Sequence, residues 1–124
     1  MGPPGSGKSD LVLRLLARGF DLVADDRVNI SDGIASPPDA LAGLLEVRGV
    51  GIMCLPHRPS AELALVVELG AEPTPRLPGP ARHAMLDLPK IGLDASAASA
   101  PERIAMALDC ALGRVTQRAG VFAA

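Results

Sequence analysis

The chain has 124 residues, of which 48% are hydrophobic and only 2% aromatic, which is one domain's worth of sequence with an aliphatic core. Twelve Lys and Arg against fourteen Asp and Glu leave a net charge of −2, so no basic surplus points to nucleic acid. No apolar run approaches the roughly 20 residues that span a bilayer, and the start does not read as a charged-then-apolar leader.

In chain order, Leu11, Val12, Leu15 and Leu16 recur at helical spacing, which predicts a helix from Lys8 to Leu16 with Gly19 as its stop. Leu22-Val23-Ala24 reads as a short buried strand that emerges at Asp25-Asp26. Ser31-Asp32-Gly33 sits between apolar flanks and predicts a hairpin. Leu44 to Ile52 alternates around Gly49 and Gly51 and predicts a strand and a tight turn. Leu63 to Leu69 is the best continuous buried strand. Gly70 to Pro80 reads as a surface connection, and Leu86 to Leu93 as strand pieces broken by Pro89 and Gly92. Ser99 precedes a last helix, as its cap, with an apolar stripe of Ile104, Ala107, Leu108, Ala111 and Leu112. Strands between two helices predict an α/β protein with a mixed sheet and flanking helices. Cys54 and Cys110 lack metal-like spacing and read as small buried hydrophobes of a reducing, cytoplasmic compartment.

Gly2-Pro3-Pro4-Gly5-Ser6-Gly7-Lys8-Ser9 matches the phosphate-loop pattern G-x-x-x-x-G-K-[ST] at every fixed position. Its glycines let backbone amides curl around phosphate oxygens, and the following helix aims its positive end at the same anion. In that pattern Lys8 reaches the β- and γ-phosphates and the Ser9 hydroxyl holds Mg²⁺. The bland alternative is a glycine-rich turn before an ordinary helix. A phosphate loop ordinarily follows a buried strand, and only Met1 precedes Gly2. The expectation is therefore a single P-loop domain over residues 1–124 whose first strand is missing through N-terminal truncation.

Asp25 and Asp26 close an apolar segment, where an acid near a phosphate loop binds Mg²⁺ or takes a proton. A solvated strand end is the plainer alternative. Glu46 and Arg48 alternate around Val47 and could share a face toward a metal or phosphate, or form a surface ion pair. Arg103 stands in the first turn of the last helix, where a cation opposes the helix dipole and hints at an anion. His57 and His83 read as solvent-facing.

The run Gly-Pro-Pro-Gly-Ser-Gly-Lys-Ser-Asp, then Leu-Val-Ala-Asp-Asp-Arg-Val, then Leu-Glu-Val-Arg-Gly-Val-Gly-Ile resembles the catalytic domain of HPr kinase/phosphorylase. The three motifs stand in the family's order, strongly over Gly2 to Leu55. The third is the most specific, since ordinary phosphate-loop kinases lack it. Ala100-Pro101-Glu102-Arg103 resembles a Pro-x-Arg element of the family. The resemblance implies an ATP- and Mg²⁺-dependent kinase that phosphorylates a serine of HPr, the small phosphocarrier of the sugar phosphotransferase system. The reverse phosphorolysis is the family's second activity, and the glycine-rich, arginine-containing segment tied to it has no clear counterpart here.

By the same resemblance the loop residues Gly2 to Ser9 bind the nucleotide and Lys8 is catalytic. Ser9 and Glu46 hold Mg²⁺. Asp26 takes the serine proton with support from Asp25, and Arg103 is the catalytic arginine. The expected partner is HPr, with no nucleic acid and no membrane, and the chain is expected to form a homo-oligomer like the family's hexamers. Two other readings stay open: a nucleotide-binding regulatory module without turnover, and a small-molecule P-loop kinase.

Overall fold

A computed structural model describes residues 7–25, 27–70 and 75–123. The chain groups into two compact units, one of residues 9–63 and one of residues 1–8 with 64–124.

The unit of residues 9–63 takes in nearly all of helix α1, Lys8–Leu16. Its apolar spacing turns Leu11 into the core, and Asp10 and Arg14 pair one turn apart, Nε to Oδ2 at 3.1 Å. Gly19 ends it as the sequence predicts. With φ +91 there, the Phe20 amide donates to Leu15 O and the Gly19 amide to Leu16 O, both at 3.2 Å. This is a Schellman closure, and its left-handed residue is sterically free only as glycine.

Strands β1 (Asn29–Ser31) and β2 (Ile34–Ser36) form the predicted hairpin. Asp32 and Gly33 carry φ of +51 and +74, which marks the type I′ turn whose twist suits a two-residue connection. A single 3-10 turn, Asp39–Leu41, follows Pro38. Strands β3 (Leu44–Val47) and β4 (Gly51–Cys54) pair antiparallel through the turn at Arg48-Gly49-Val50, again as predicted. Strand β5 (Ala61–Glu62) joins β2 antiparallel. Leu11, Leu22, Ala35 and Leu45 form this unit's buried apolar set.

In the second unit, β6 (Val66–Leu69) and β7 (Lys90–Leu93) pair in parallel, from Val66 opposite Lys90 to Leu69 opposite Leu93. Helix α2, Ala100–Ala111, carries Pro101 in its first turn, where a missing N–H costs nothing. It ends on the same device as α1: the Arg114 amide donates to Asp109 O at 2.8 Å and the Gly113 amide to Cys110 O at 3.1 Å. Val66, Leu69, Leu93, Ala95, Ala100 and Ile104 are buried.

The α/β class holds, with parallel and antiparallel pairing both present. The one mixed sheet expected from sequence is instead three small sheets among the described residues. Two segments account for the difference. The run read as one strand from Leu63 to Leu69 is a strand only in its second part: the Leu63 amide donates to Gly33 O at 2.8 Å just past β5, and the ladder with β7 begins at Val66. Leu22-Val23-Ala24 is not a strand. Leu22 is buried and its carbonyl accepts from the Arg58 amide at 2.7 Å, and Asp21 meets Arg58 Nη2 at 2.9 Å. Among the described residues no second ladder bond follows. Cys54 is exposed rather than buried, and both cysteines are free thiols.

Leu45 is fully buried on β3, while Ile52 on β4 is 69% exposed. Leu45→Ala is therefore expected to cost about 2–5 kcal/mol of unfolding free energy, and Ile52→Ala at most about 0.5 kcal/mol. Urea titrations of both variants check this. Equal losses would show that Leu45 is not the anchor of the hairpin.

Candidate functional site

The head of α1 builds the first cluster. Ser9, in the helix's first turn, donates its hydroxyl proton to Asp25, with Oδ1 at 3.0 Å and Oδ2 at 3.2 Å. Both residues are half-buried. Because the proton points at the carboxylate, the lone pairs of Ser9 Oγ face away from it and stay available to a cation. The contact joins two motifs that the sequence sets 16 residues apart. Asp25 is thus the carboxylate on Ser9. Asp26, Gly2, Pro3, Pro4, Gly5 and Ser6 lie outside the described residues. Lys8 is half-buried at the first position of α1.

Glu46 stands on β3 opposite Ile52 with an exposed side chain that makes no side-chain hydrogen bond or ion pair among the described residues. Arg48 does not share its strand face, because β3 ends at Val47 and Arg48 begins the turn. His57 is exposed, as expected. His83 is half-buried, and its Nδ1 accepts from the Leu86 amide at 3.1 Å, so it braces a turn rather than facing solvent.

A second cluster lies in the other unit, at the carboxyl ends of the parallel strands. Gly7, the last loop glycine, has φ +86, and a Cβ there would meet Ala95 Cβ at 3.3 Å. The close approach of backbone to Ala95 explains the residue type at this motif position. Ala95 follows Asp94, which caps its own turn: Ser96 Oγ donates to Asp94 Oδ1 at 2.7 Å and the Ser96 amide does so at 2.9 Å. These donors favour the charged form and hold the Asp94 carboxyl below its ordinary value of 3.8. Past this corner, Arg103 in the first turn of α2 donates Nε–H to Ser99 Oγ at 2.9 Å. Ser99 was expected to cap α2, and it stands at the cap position but makes no side-chain cap bond.

A cleft of about 1040 Å³ opens beside Gly70 and Asp94, with Arg76 and Arg103 as its cations and Leu93, Met106 and Phe122 among its apolar walls. In open α/β sheets this edge is where ligands bind. The Asp94–Ser96 corner escaped the sequence reading, although Asp-x-Ser after a strand is a recognisable turn signal.

Among the described residues no three His, Cys, Asp or Glu side chains gather as a metal cage. Mg²⁺ does not need one: it is held by one or two carboxylates with substrate phosphates and waters. The hard oxygens of Ser9 and Asp25 fit that habit. No helix of the described residues is long and apolar enough to cross a membrane.

Comparison with known proteins adds the following. The family model described as the HPr serine kinase C-terminal domain matches residues 1–70. An HPr kinase/phosphorylase of Xylella fastidiosa (strain M12) is 40% identical over 116 aligned residues, taking in 74% of this chain and 36% of that protein. One from Clostridium tetani is 48% identical over 59 residues, 44% of this chain and 19% of that protein. The chain spans about a third of the length of the first of these relatives. A solved structure of the HPr(Ser) kinase/phosphatase from Coxiella burnetii aligns with a TM-score of 0.67 at 25% identity, covering 86% of this chain and 76% of that one.

The Asp94 corner yields a pH prediction. A carboxyl held low in the folded chain adds stability at pH above its unfolded value, and that increment is lost as pH falls through the folded value. The Ser96 hydroxyl is the largest cause of the lowering. Ser96→Ala is therefore expected to raise the Asp94 midpoint toward 3.8 and to reduce the increment. Carbon NMR titration of the Asp94 carboxyl reads the midpoint directly, and an unmoved midpoint would remove the hydroxyl as the cause.

Proposed function

The chain belongs to the HPr serine kinase C-terminal domain family, and from that footing we propose that it carries Mg²⁺-dependent transfer of the γ-phosphoryl group of ATP to a serine of HPr. The observation that carries the reading is the Ser9–Asp25 contact at 3.0 Å. A serine at the head of a helix, directly after a phosphate-loop motif and oriented by a carboxylate, suits a nucleotide-bound cation and has no comparable use in an ordinary surface helix.

The roles divide by chemistry. The backbone N–H groups of Gly5 to Ser9, Pro3 and Pro4 having none, and the ammonium of Lys8 hold the β- and γ-phosphates. Ser9 and Asp25, with Glu46 as a further carboxylate, would hold Mg²⁺. When bound, the ion neutralises charge on the phosphate oxygens. Asp26 takes the proton of the substrate serine, whose hydroxyl is a poor nucleophile at neutral pH without a base in hydrogen-bond reach. The Ser9 hydroxyl already engages Asp25, so Asp25 serves the cation and the proton of the substrate serine falls to Asp26. Arg103 neutralises charge on the transferring group. In the reverse direction, named in the relatives' phosphorylase activity, Asp26 returns the proton it took.

The test incubates the chain with γ-labelled ATP, with and without HPr. Label on HPr that is nearly abolished in Lys8→Ala is the expected result. Asp26→Asn is expected to lower kcat by about 10²- to 10⁴-fold, with ATP affinity changed far less. Asp25→Asn is expected to move the Mg²⁺ requirement to higher concentration. Full transfer by Lys8→Ala would sink the proposal. Label on a small metabolite would select the small-molecule kinase, and ATP binding without transfer the regulatory module.

A further inference from the structure

Ser99 occupies the cap position of α2 but does not cap it. A capping serine ordinarily has an extended backbone and accepts an amide proton from the first turn. Here Ser99 has φ −91 and ψ 10 and accepts none. The demand for a cap is already reduced. The Ala100 amide donates to Ala97 O at 3.0 Å, and Pro101 has no N–H to satisfy. The hydroxyl instead accepts from Arg103 Nε at 2.9 Å, while Ser99 O accepts the Arg103 amide at 2.9 Å. Two bonds thus tie one serine to one arginine across a single turn.

The guanidinium is planar, so fixing the direction of Nε–H fixes the plane and the direction of the two terminal nitrogens. Those nitrogens make no ion pair among the described residues, and Arg103 lines the cleft at the carboxyl ends of β6 and β7. The cation also sits in the first turn of a helix, where the dipole works against it. Helix stability therefore does not explain the arrangement, whereas an incoming anion does.

We propose that Ser99 is a positioning residue: it holds the Arg103 fork in the orientation that meets a phosphoryl group. The proposal rests on the reading of Arg103 as the arginine that neutralises the transferring group. Only the ternary geometry of the reaction would then feel the loss of Ser99. Binding of ATP through the phosphate loop would not.

The experiment compares Ser99→Ala, Ser99→Thr, Arg103→Lys and the double variant Ser99→Ala/Arg103→Lys in the full chain. Expected is a kcat for Ser99→Ala about 10- to 100-fold below the parent, with KM for ATP within about twofold, restored in Ser99→Thr, whose hydroxyl replaces the acceptor. In the Arg103→Lys background, which has no Nε–H fork to orient, Ser99→Ala is expected to add nothing. Independently of activity, the Arg103 Nε–H, followed by nitrogen NMR, should exchange with solvent faster in Ser99→Ala than in the parent. Unchanged exchange overturns the proposal, because the bond is then not held in solution. Unchanged kcat in Ser99→Ala, with an active parent, overturns it while leaving the kinase reading intact. A lowered melting temperature with additive losses in the double variant makes Ser99 a structural cap and overturns it equally. A parent chain that labels no HPr removes the kinase reading and the Ser99 role together.

Discussion

Helix α1 is nine residues long, shorter than the roughly 12–15 at which an isolated helix becomes even marginally stable in water. It persists because its two ends and one face are secured by other means. Leu11 is buried, Gly19 closes the last turn, and the Ser9 hydroxyl ties the first turn to Asp25. The segment that carries Asp25 has no ladder of its own among the described residues, so the same bond secures that segment as well. One serine–carboxylate contact therefore holds two weakly self-sufficient pieces together. The same bond fixes both the place of Ser9 and the direction of its lone pairs.

Where structure is set by neighbours in sequence, the residues declare it. The I′ hairpin at Asp32-Gly33, the turn at Gly49 and the stop at Gly19 follow from backbone conformations that few residues adopt. α1 matches its predicted bounds because apolar spacing, phosphate-loop context and a terminal glycine agree. Where a segment's fate is decided by a distant partner, the residues are silent. Leu63 to Leu69 is apolar but for Glu68, and nothing within it says that the ladder with β7 will start only at Val66. Leu22 is buried as expected, yet burial alone does not make a ladder.

The candidate site divides along the same line. The loop motif, Ser9 and the acid pair are legible because phosphate chemistry demands those residue types at those spacings. Which acid meets Ser9 is not legible, since two adjacent aspartates after Ala24 offer the same chemistry and the partner lies 16 residues away. Ser99 shows a different limit. Its position read as a cap, and the competing acceptor role arose four residues on, where Arg103 offered a stronger, charged donor. Asp94 belongs to no phosphate motif, so its residue type gives no sign that its turn lies beside the last loop glycine.

The parallel pairing of β6 and β7 has a kinetic consequence. Val66 meets Lys90, so about two dozen residues of chain must be gathered before the first ladder bond forms, whereas the β1–β2 hairpin closes over a two-residue turn. Each doubling of a closed loop adds about 0.6 kcal/mol of entropic cost, and non-local contacts slow folding accordingly. The antiparallel hairpins with Ser9 and Asp25 are local and can order early, even while the rest of the chain is being synthesised. The cleft edge with Asp94 and Arg103 waits for the long closure. The cleft edge is thus the last part of the chain to take shape, after the Ser9–Asp25 contact has already formed.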